Sequence, residues 1–360
     1  MNRLGGIRRG GPKGLTGVLA RIATSAAIAL AAAGSFVAPA SAAGELNLYS
    51  SRHYDTDERL YSEFEEKTGI KINRIEGNAD ELIQRIKSEG RNSPADVLLT
   101  VDAGRIWRAE QMGIFQPVST EYLEARIPSH LRHPDGLWYG FSQRARIIFY
   151  DKDRVSPLQI QTYDDLADPA LKGMVCTRSS SNVYMLSLMA AQIEHKGEQG
   201  AKDWAAGVYE NRARDPQGGD TDQLRAIVSG ECGVALANTY YFARALRSEV
   251  KGLGETEIAK IGWIFPNQST TGAHVNISGA GVVATAPNKE NAVKFLEYLA
   301  SDSAQAYFSA GNDEYPAVPG VELSASVARL GLFRQDTMNL AKLGENQPLA
   351  QKLYDEVGYK

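Results

Sequence analysis

Apolar residues recur along this chain in two rhythms, every second position and every three to four. Leu46-Asn47-Leu48-Tyr49 alternates at period two and predicts a half-buried strand. Asp55 and Glu58 then stand at capping-box spacing, and the helical run from Glu58 to Lys67 stops at Gly69. Ile70 to Ile75 alternates again. Asp80 to Glu89 places Leu82, Ile83 and Ile86 on one helical face. Asp96 to Val101 is a short, mostly apolar strand. This strand–helix–strand–helix–strand opening predicts a mainly parallel sheet covered on both faces.

Gly140 to Tyr150 reads as an extended segment leaving that first set. A second set follows: a strand near Val175, helices near Tyr184–Ile193 and Asp220–Ser229, a strand near Val234, and a helix from Tyr240. Val275 to Val283 is a further strand, returning to the first set. Asn291–Leu299 and Ser303–Ser309 are helical, and the tail from Gln335 to Tyr354 carries a helical pattern too. The expected class is α/β, with two doubly wound α/β lobes joined by crossing hinge strands. One lobe would take residues 43–145 plus 276–325, the other 146–275 plus 326–360. Such a pair of lobes suits a cleft that closes because its ligand touches both sides.

The first residues have a different character. Arg3, Arg8, Arg9, Lys13 and Arg21 are basic, Ile22 to Val37 is apolar, and Ala40-Ser41-Ala42 fits a small-residue cleavage site. Residues 1–42 therefore predict a cleaved export signal and a periplasmic destination. Their loss leaves 34 Lys plus Arg against 43 Asp plus Glu, a formal charge of −9 in place of −4. That balance argues against a nucleic-acid partner. In an exported chain the two cysteines, Cys176 and Cys232, favour a disulfide over two buried thiols. Both lie in short predicted strands that neighbourhood in the sheet would bring together.

The candidate chemistry lies where predicted strands run into helices, the place at which ligands gather in open α/β sheets. His53-Tyr54 follows the first strand. Tyr184 follows Ser179-Ser180-Ser181-Asn182, and Tyr240-Tyr241 follow Asn238-Thr239, a cap-like pair. Helix starts favour anionic groups such as phenolates. Hard oxygen donors select hard ions, and a tripositive ion can displace the phenol proton despite its ordinary pKa of about 10. Four phenolates around Fe(III) would leave a charge of about −1. Arg144 and Arg244 are the candidate balancing cations. Taken singly, each tyrosine also reads as a packing residue and each arginine as a solvated one; the argument rests on their conjunction.

Four stretches give the chain a family resemblance: Leu48 to Tyr54, Cys176 to Tyr184, Pro216 to Gln223, and Asn238 to Arg244; Glu314-Tyr315-Pro316 also fits. The chain resembles the ferric-iron-binding periplasmic proteins of ABC importers, the bacterial transferrin-like group, and especially its cyanobacterial-type branch. The resemblance implies a type II periplasmic-binding-protein fold. It implies Tyr54, Tyr184, Tyr240 and Tyr241 as phenolate ligands of Fe(III), His53 as fifth ligand, and Arg144 and Arg244 behind them. Fe(III) would be cargo, held with no obligatory synergistic anion and passed by a monomer to an inner-membrane ABC permease.

Two competing readings are weaker. A hinge-type binding protein for an organic or anionic solute would use the same tyrosines to stack or donate hydrogen bonds. An enzyme would need machinery that is missing: there is no Gly-x-Ser-x-Gly, His-Glu-x-x-His, Walker loop or Gly-x-Gly-x-x-Gly opening a helix. No catalytic residue is expected.

Overall fold

A computed structural model describes residues 44–52, 56–248 and 250–360. The predicted export signal, its cleavage site, and residues His53, Tyr54 and Asp55 lie outside the described residues. The first elements are β1 (Glu45–Ser50), α1 (Asp57–Thr68), β2 (Lys71–Glu76), α2 (Ala79–Glu89), β3 (Val97–Val101), α3 (Ala103–Gln111), α4 (Glu121–Arg126) and β4 (Tyr139–Asp151). Then come β5 (Val175–Cys176), α5 (Val183–Glu210), α6 (Asp220–Val228), β6 (Val234–Asn238), α7 (Thr239–Arg247), α8 (Glu255–Ala259), β7 (Ile261–Ile264) and β8 (Val275–Val282). The last are α9 (Lys289–Leu299), α10 (Asp302–Asn312), β9 (Tyr315–Pro316), α11 (Ala325–Leu330), α12 (Ala341–Glu345) and α13 (Gln347–Glu356).

Local chemistry sets the early boundaries. α1 carries Asp57 and Glu58 in its first turn and Lys67 in its last, each matched to the helix dipole. It ends at Gly69, whose φ of 69° is left-handed and whose N–H reaches Glu65 O. Leu60 and Phe64 on its inner face are fully buried, which stabilises the fold by about 1.5–3 kcal/mol each. Asn78 caps α2 by accepting the Asp80 N–H at 2.9 Å, and Leu82, Ile83 and Ile86 are buried as their spacing predicts.

The sheet runs β2-β1-β3-β8-β4-β6-β5, with β7 and β9 also paired to β4. It is mixed rather than mainly parallel. β1 is parallel to β2 and β3, and β5 to β6, but β8 and β4 run antiparallel to their neighbours. The opening βαβαβ rhythm describes only its own strands. β8 arrives from far along the chain and enters between β3 and β4 the other way.

β4 spans both halves of the sheet. Its segment Tyr139–Ala145 pairs with β8, and Arg146–Tyr150 pairs with β6. Two buried clusters flank it. One gathers Leu48, Leu98, Phe141, Ile277 and Phe295; the other gathers Ile148, Leu188, Trp204, Leu236 and Leu353. Cys176, ending β5, is bonded to Cys232, just before β6, with Cα atoms 5.9 Å apart. The strand neighbourhood inferred from sequence is the one observed.

Two helical expectations need correction. The helix holding Tyr184 does not stop near Ile193 but continues to Glu210, across a break at Gly197. The tail is not helical from Gln335. Its main chain is taken up beside Ala273, with Asp336 N–H donating to Ala273 O and Ala273 N–H to Arg334 O, both at 2.9 Å. Helix begins only at Ala341.

Candidate functional site

β5 and β6 are parallel neighbours, so the helices that follow them start at the same edge of the sheet. Tyr184 stands in the first turn of α5, where Asn182 Oδ1 accepts its backbone N–H at 3.0 Å. Tyr240 and Tyr241 stand in the first turn of α7. Asn238 precedes α7 as expected, but its side chain does not cap the helix. Its Oδ1 instead accepts from Arg146 Nη1 at 3.0 Å.

The two helix starts converge. Tyr184 Oη and Tyr240 Oη are 3.2 Å apart. The Tyr240 and Tyr241 rings stack with centroids 4.3 Å apart. Tyr240 is buried, while Tyr184 and Tyr241 keep partial exposure. Three of the sequence-predicted donors thus gather in one place. The other two, His53 and Tyr54, lie outside the described residues, but Arg52 immediately before them is anchored in the core.

Four guanidinium groups surround the tyrosines. Arg144 and Arg244 lie 5.6 and 5.9 Å from the Tyr240 ring centroid. Arg178 and Arg146 lie 5.1 and 5.9 Å from that of Tyr184. Arg144 and Arg244 are the pair expected from sequence; Arg146 and Arg178 are additional. Arg244 also pairs with the buried carboxylate of Asp313 at 3.8 Å.

Two further buried carboxylates hold the other three cations. Glu314 pairs with both Arg144 and Arg52 and accepts from Ser142 Oγ at 2.5 Å. Arg52 also pairs with Asp57 at 2.9 Å, which fixes the end of β1 against α1. Burial alone would raise the Glu314 carboxyl, but Arg144, Arg52 and Ser142 outweigh it and bring it down to about 2. Asp220, at the start of α6, is the second. It accepts from Arg146 Nη1 at 3.1 Å and from the Asn238 backbone N–H at 2.8 Å, and pairs with Arg178 at 3.6 Å.

In this state the Tyr241 phenol is held above its ordinary pKa, first by burial and then by Tyr184 and Asp220, with Tyr240 and Arg178 opposing. Only a strongly polarising cation would displace such a proton at neutral pH. Burial works against the Arg178 charge, yet Asp220, Tyr241, Tyr184 and Tyr240 together raise its pKa. The site is therefore an oxygen cluster ringed by fixed positive charge. Among the described residues no group of three His, Cys, Asp or Glu side chains could hold a metal; the donors gathered at the two helix starts are phenol oxygens.

Sequence reasoning passed over Arg52, Arg146, Arg178, Asp220 and Glu314 as functional residues. One signal was present: Arg144 and Arg146 sit two apart just before the apolar run Ile147-Ile148-Phe149 of the predicted extended segment, a costly placement unless both charges are paired.

The profile of the family "Bacterial extracellular solute-binding protein" matches residues 59–335. Iron uptake protein A1 of Synechocystis is 54% identical over 319 residues, covering 88% of each chain. The solved structure of a Trichodesmium protein in complex with iron and citrate ligands superposes with a TM-score of 0.85 at 52% identity, covering 88% of this chain and all of that one. A ferric binding protein from Campylobacter jejuni superposes with a TM-score of 0.81 at 41% identity, over 88% of this chain and all of that one. The chain therefore belongs to the bacterial extracellular solute-binding protein family, and within it to the branch of the cyanobacterial iron uptake proteins.

Proposed function

We propose that this chain captures Fe(III) in the periplasm through Tyr54, Tyr184, Tyr240, Tyr241 and His53, and delivers it to an inner-membrane ABC permease. The observation that carries the proposal is the 3.2 Å approach of Tyr184 and Tyr240 oxygens, with Tyr241 stacked alongside. Adjacent oxygens of an octahedral hard cation with bonds of about 2.0–2.1 Å lie roughly 2.9 Å apart, so only a small adjustment would let both bind one ion. The names of the relatives point the same way: an iron uptake protein and a ferric binding protein. Iron here is cargo, and the protein acts by binding rather than by catalysis.

The proposed lobes are residues 43–145 with 276–325, and 146–275 with 326–360. The change of β4 partner between Ala145 and Arg146 supports that division. Tyr184, Tyr240 and Tyr241 then belong to one lobe, His53 and Tyr54 to the other, and closure would bring the donor set together. The protein acts as a monomer in this scheme, and four phenolates with an imidazole need no synergistic anion.

Ferric ion added to the apo protein in citrate-free buffer should produce a visible phenolate-to-iron charge-transfer band. Tyr240→Phe combined with Tyr241→Phe should remove the band and most of the affinity. Native mass spectrometry should find one iron per chain. A double variant that keeps both colour and affinity would end the proposal, and an organic mass in place of iron would favour the organic-solute reading.

A further inference from the structure

Asp220 joins the two helix starts that carry the tyrosines. It is fully buried. Its Oδ2 accepts the backbone N–H of Asn238, two residues before Tyr240, at 2.8 Å. The same carboxylate takes Arg146 Nη1 at 3.1 Å, and that nitrogen also reaches Asn238 Oδ1 at 3.0 Å. Arg178 pairs with it from the α5 side at 3.6 Å. Both arginines lie within 6 Å of the Tyr184 ring centroid, at 5.9 and 5.1 Å. One anionic group thus touches the residue that sets the start of α7 and both cations that flank the tyrosine of α5.

We infer that Asp220 is a positioning residue for ferric ion, setting the separation of Tyr184 from Tyr240 and Tyr241 through Arg146, Arg178 and the Asn238 main chain. The inference rests on the iron reading above and adds to it a residue that never touches the ion. Its physical basis is that outer partners of metal ligands fix the ligands' orientation and the charge around them. Without the carboxylate, Arg146 and Arg178 would repel each other beside Tyr184, and the Asn238 N–H would lose its acceptor. Asp220 is not the sole tie at this point of the fold. The start of α6 is separately tied by the exposed Asp222, whose Oδ2 accepts the Gly219 N–H at 2.8 Å.

The test compares Asp220→Asn with Asp222→Ala. Ferric affinity is measured by competition with a chelator, the charge-transfer maximum by absorbance, and folding by thermal melting of the apo protein. Asp220→Asn should weaken ferric binding by roughly 10- to 100-fold and move the band maximum. Asp222→Ala should loosen α6 and leave both readouts near wild type. Should Asp220→Asn not fold, Arg178→Gln removes one of the same contacts from a partly exposed position and should also move the band. Unchanged affinity and colour in the folded Asp220→Asn protein, or in Arg178→Gln where that variant is used, overturns the inference. So does an Asp222→Ala variant that reproduces the Asp220→Asn effect, because Asp220 would then act only by holding α6. A wild-type protein that develops no band with ferric ion sinks the iron reading itself, an outcome distinct from all of these.

Discussion

Replacing Glu314 by Gln tests the buried charge network from its centre. The carboxylate is fully buried and shared by Arg52 and Arg144. Those cations hold its pKa at about 2, against about 4.3 in an unfolded chain. A carboxyl depressed in the folded state stabilises above its unfolded value and loses that contribution as pH falls toward the folded value. Linkage therefore gives about 3 kcal/mol at neutral pH. Independently, breaking a buried ion pair by removing one partner costs about 3–5 kcal/mol. Both routes predict that Glu314→Gln destabilises the apo protein by about 3 kcal/mol at pH 7. The deficit should be roughly halved by pH 3, because the wild type is by then losing the same charge. Urea unfolding followed by tryptophan fluorescence at a series of pH values measures it. A deficit below about 1 kcal/mol at pH 7, or one that stays constant down to pH 3, would refute the reasoning.

Two further outcomes follow from contacts away from the tyrosines. Replacing both Cys176 and Cys232 by Ala opens a cross-link spanning a separation of 56 residues; chain entropy puts the loss at about 4 kcal/mol, and a urea midpoint equal to that of the oxidised wild type would contradict it. His195 bonds Asp336 at 2.6 Å, and that hydrogen bond raises its pKa against the opposing effect of burial. A raised histidine stabilises fully below its unfolded value of about 6.5 and loses the benefit as pH climbs through the folded value. His195→Gln should therefore melt below wild type at pH 5.5 and approach it by pH 8.5, whereas a constant gap would show that the charge plays no part.

Much of this was legible in the amino-acid order, for reasons that differ by element. α1 and α2 declare themselves because their dipole-matched charges and apolar stripes agree, and Gly69 stops α1 where expected. The disulfide follows from parity, export and neighbouring strands. The approach of Tyr184 to Tyr240 was foreseeable because strand ends in such sheets share an edge. What escaped notice depends on partners distant in sequence. The antiparallel entry of β8 leaves no local trace, since a buried strand has the same apolar run in either direction. The tail from Gln335 has helical composition, but the Asp336 N–H is claimed by Ala273 O and the Arg334 carbonyl by Ala273 N–H. Arg178 and Asp220 read as ordinary surface charges until folding brings them to Arg146, and Glu314 gains its meaning from Arg52, 262 positions away.

β4 gives the site a mechanical property. Arg144 and Arg146 are two residues apart on it, yet the first is moored to Glu314 and Ser278 and the second to Asp220 and Asn238. Each lies near a different tyrosine, Tyr240 for Arg144 and Tyr184 for Arg146. A covalent strand cannot stretch, so any twist between these moorings must shift one cation relative to the other. Flexing the ribbon would thereby retune the electrostatic surroundings of the phenols, and loading the phenols with a cation would in turn stiffen the ribbon.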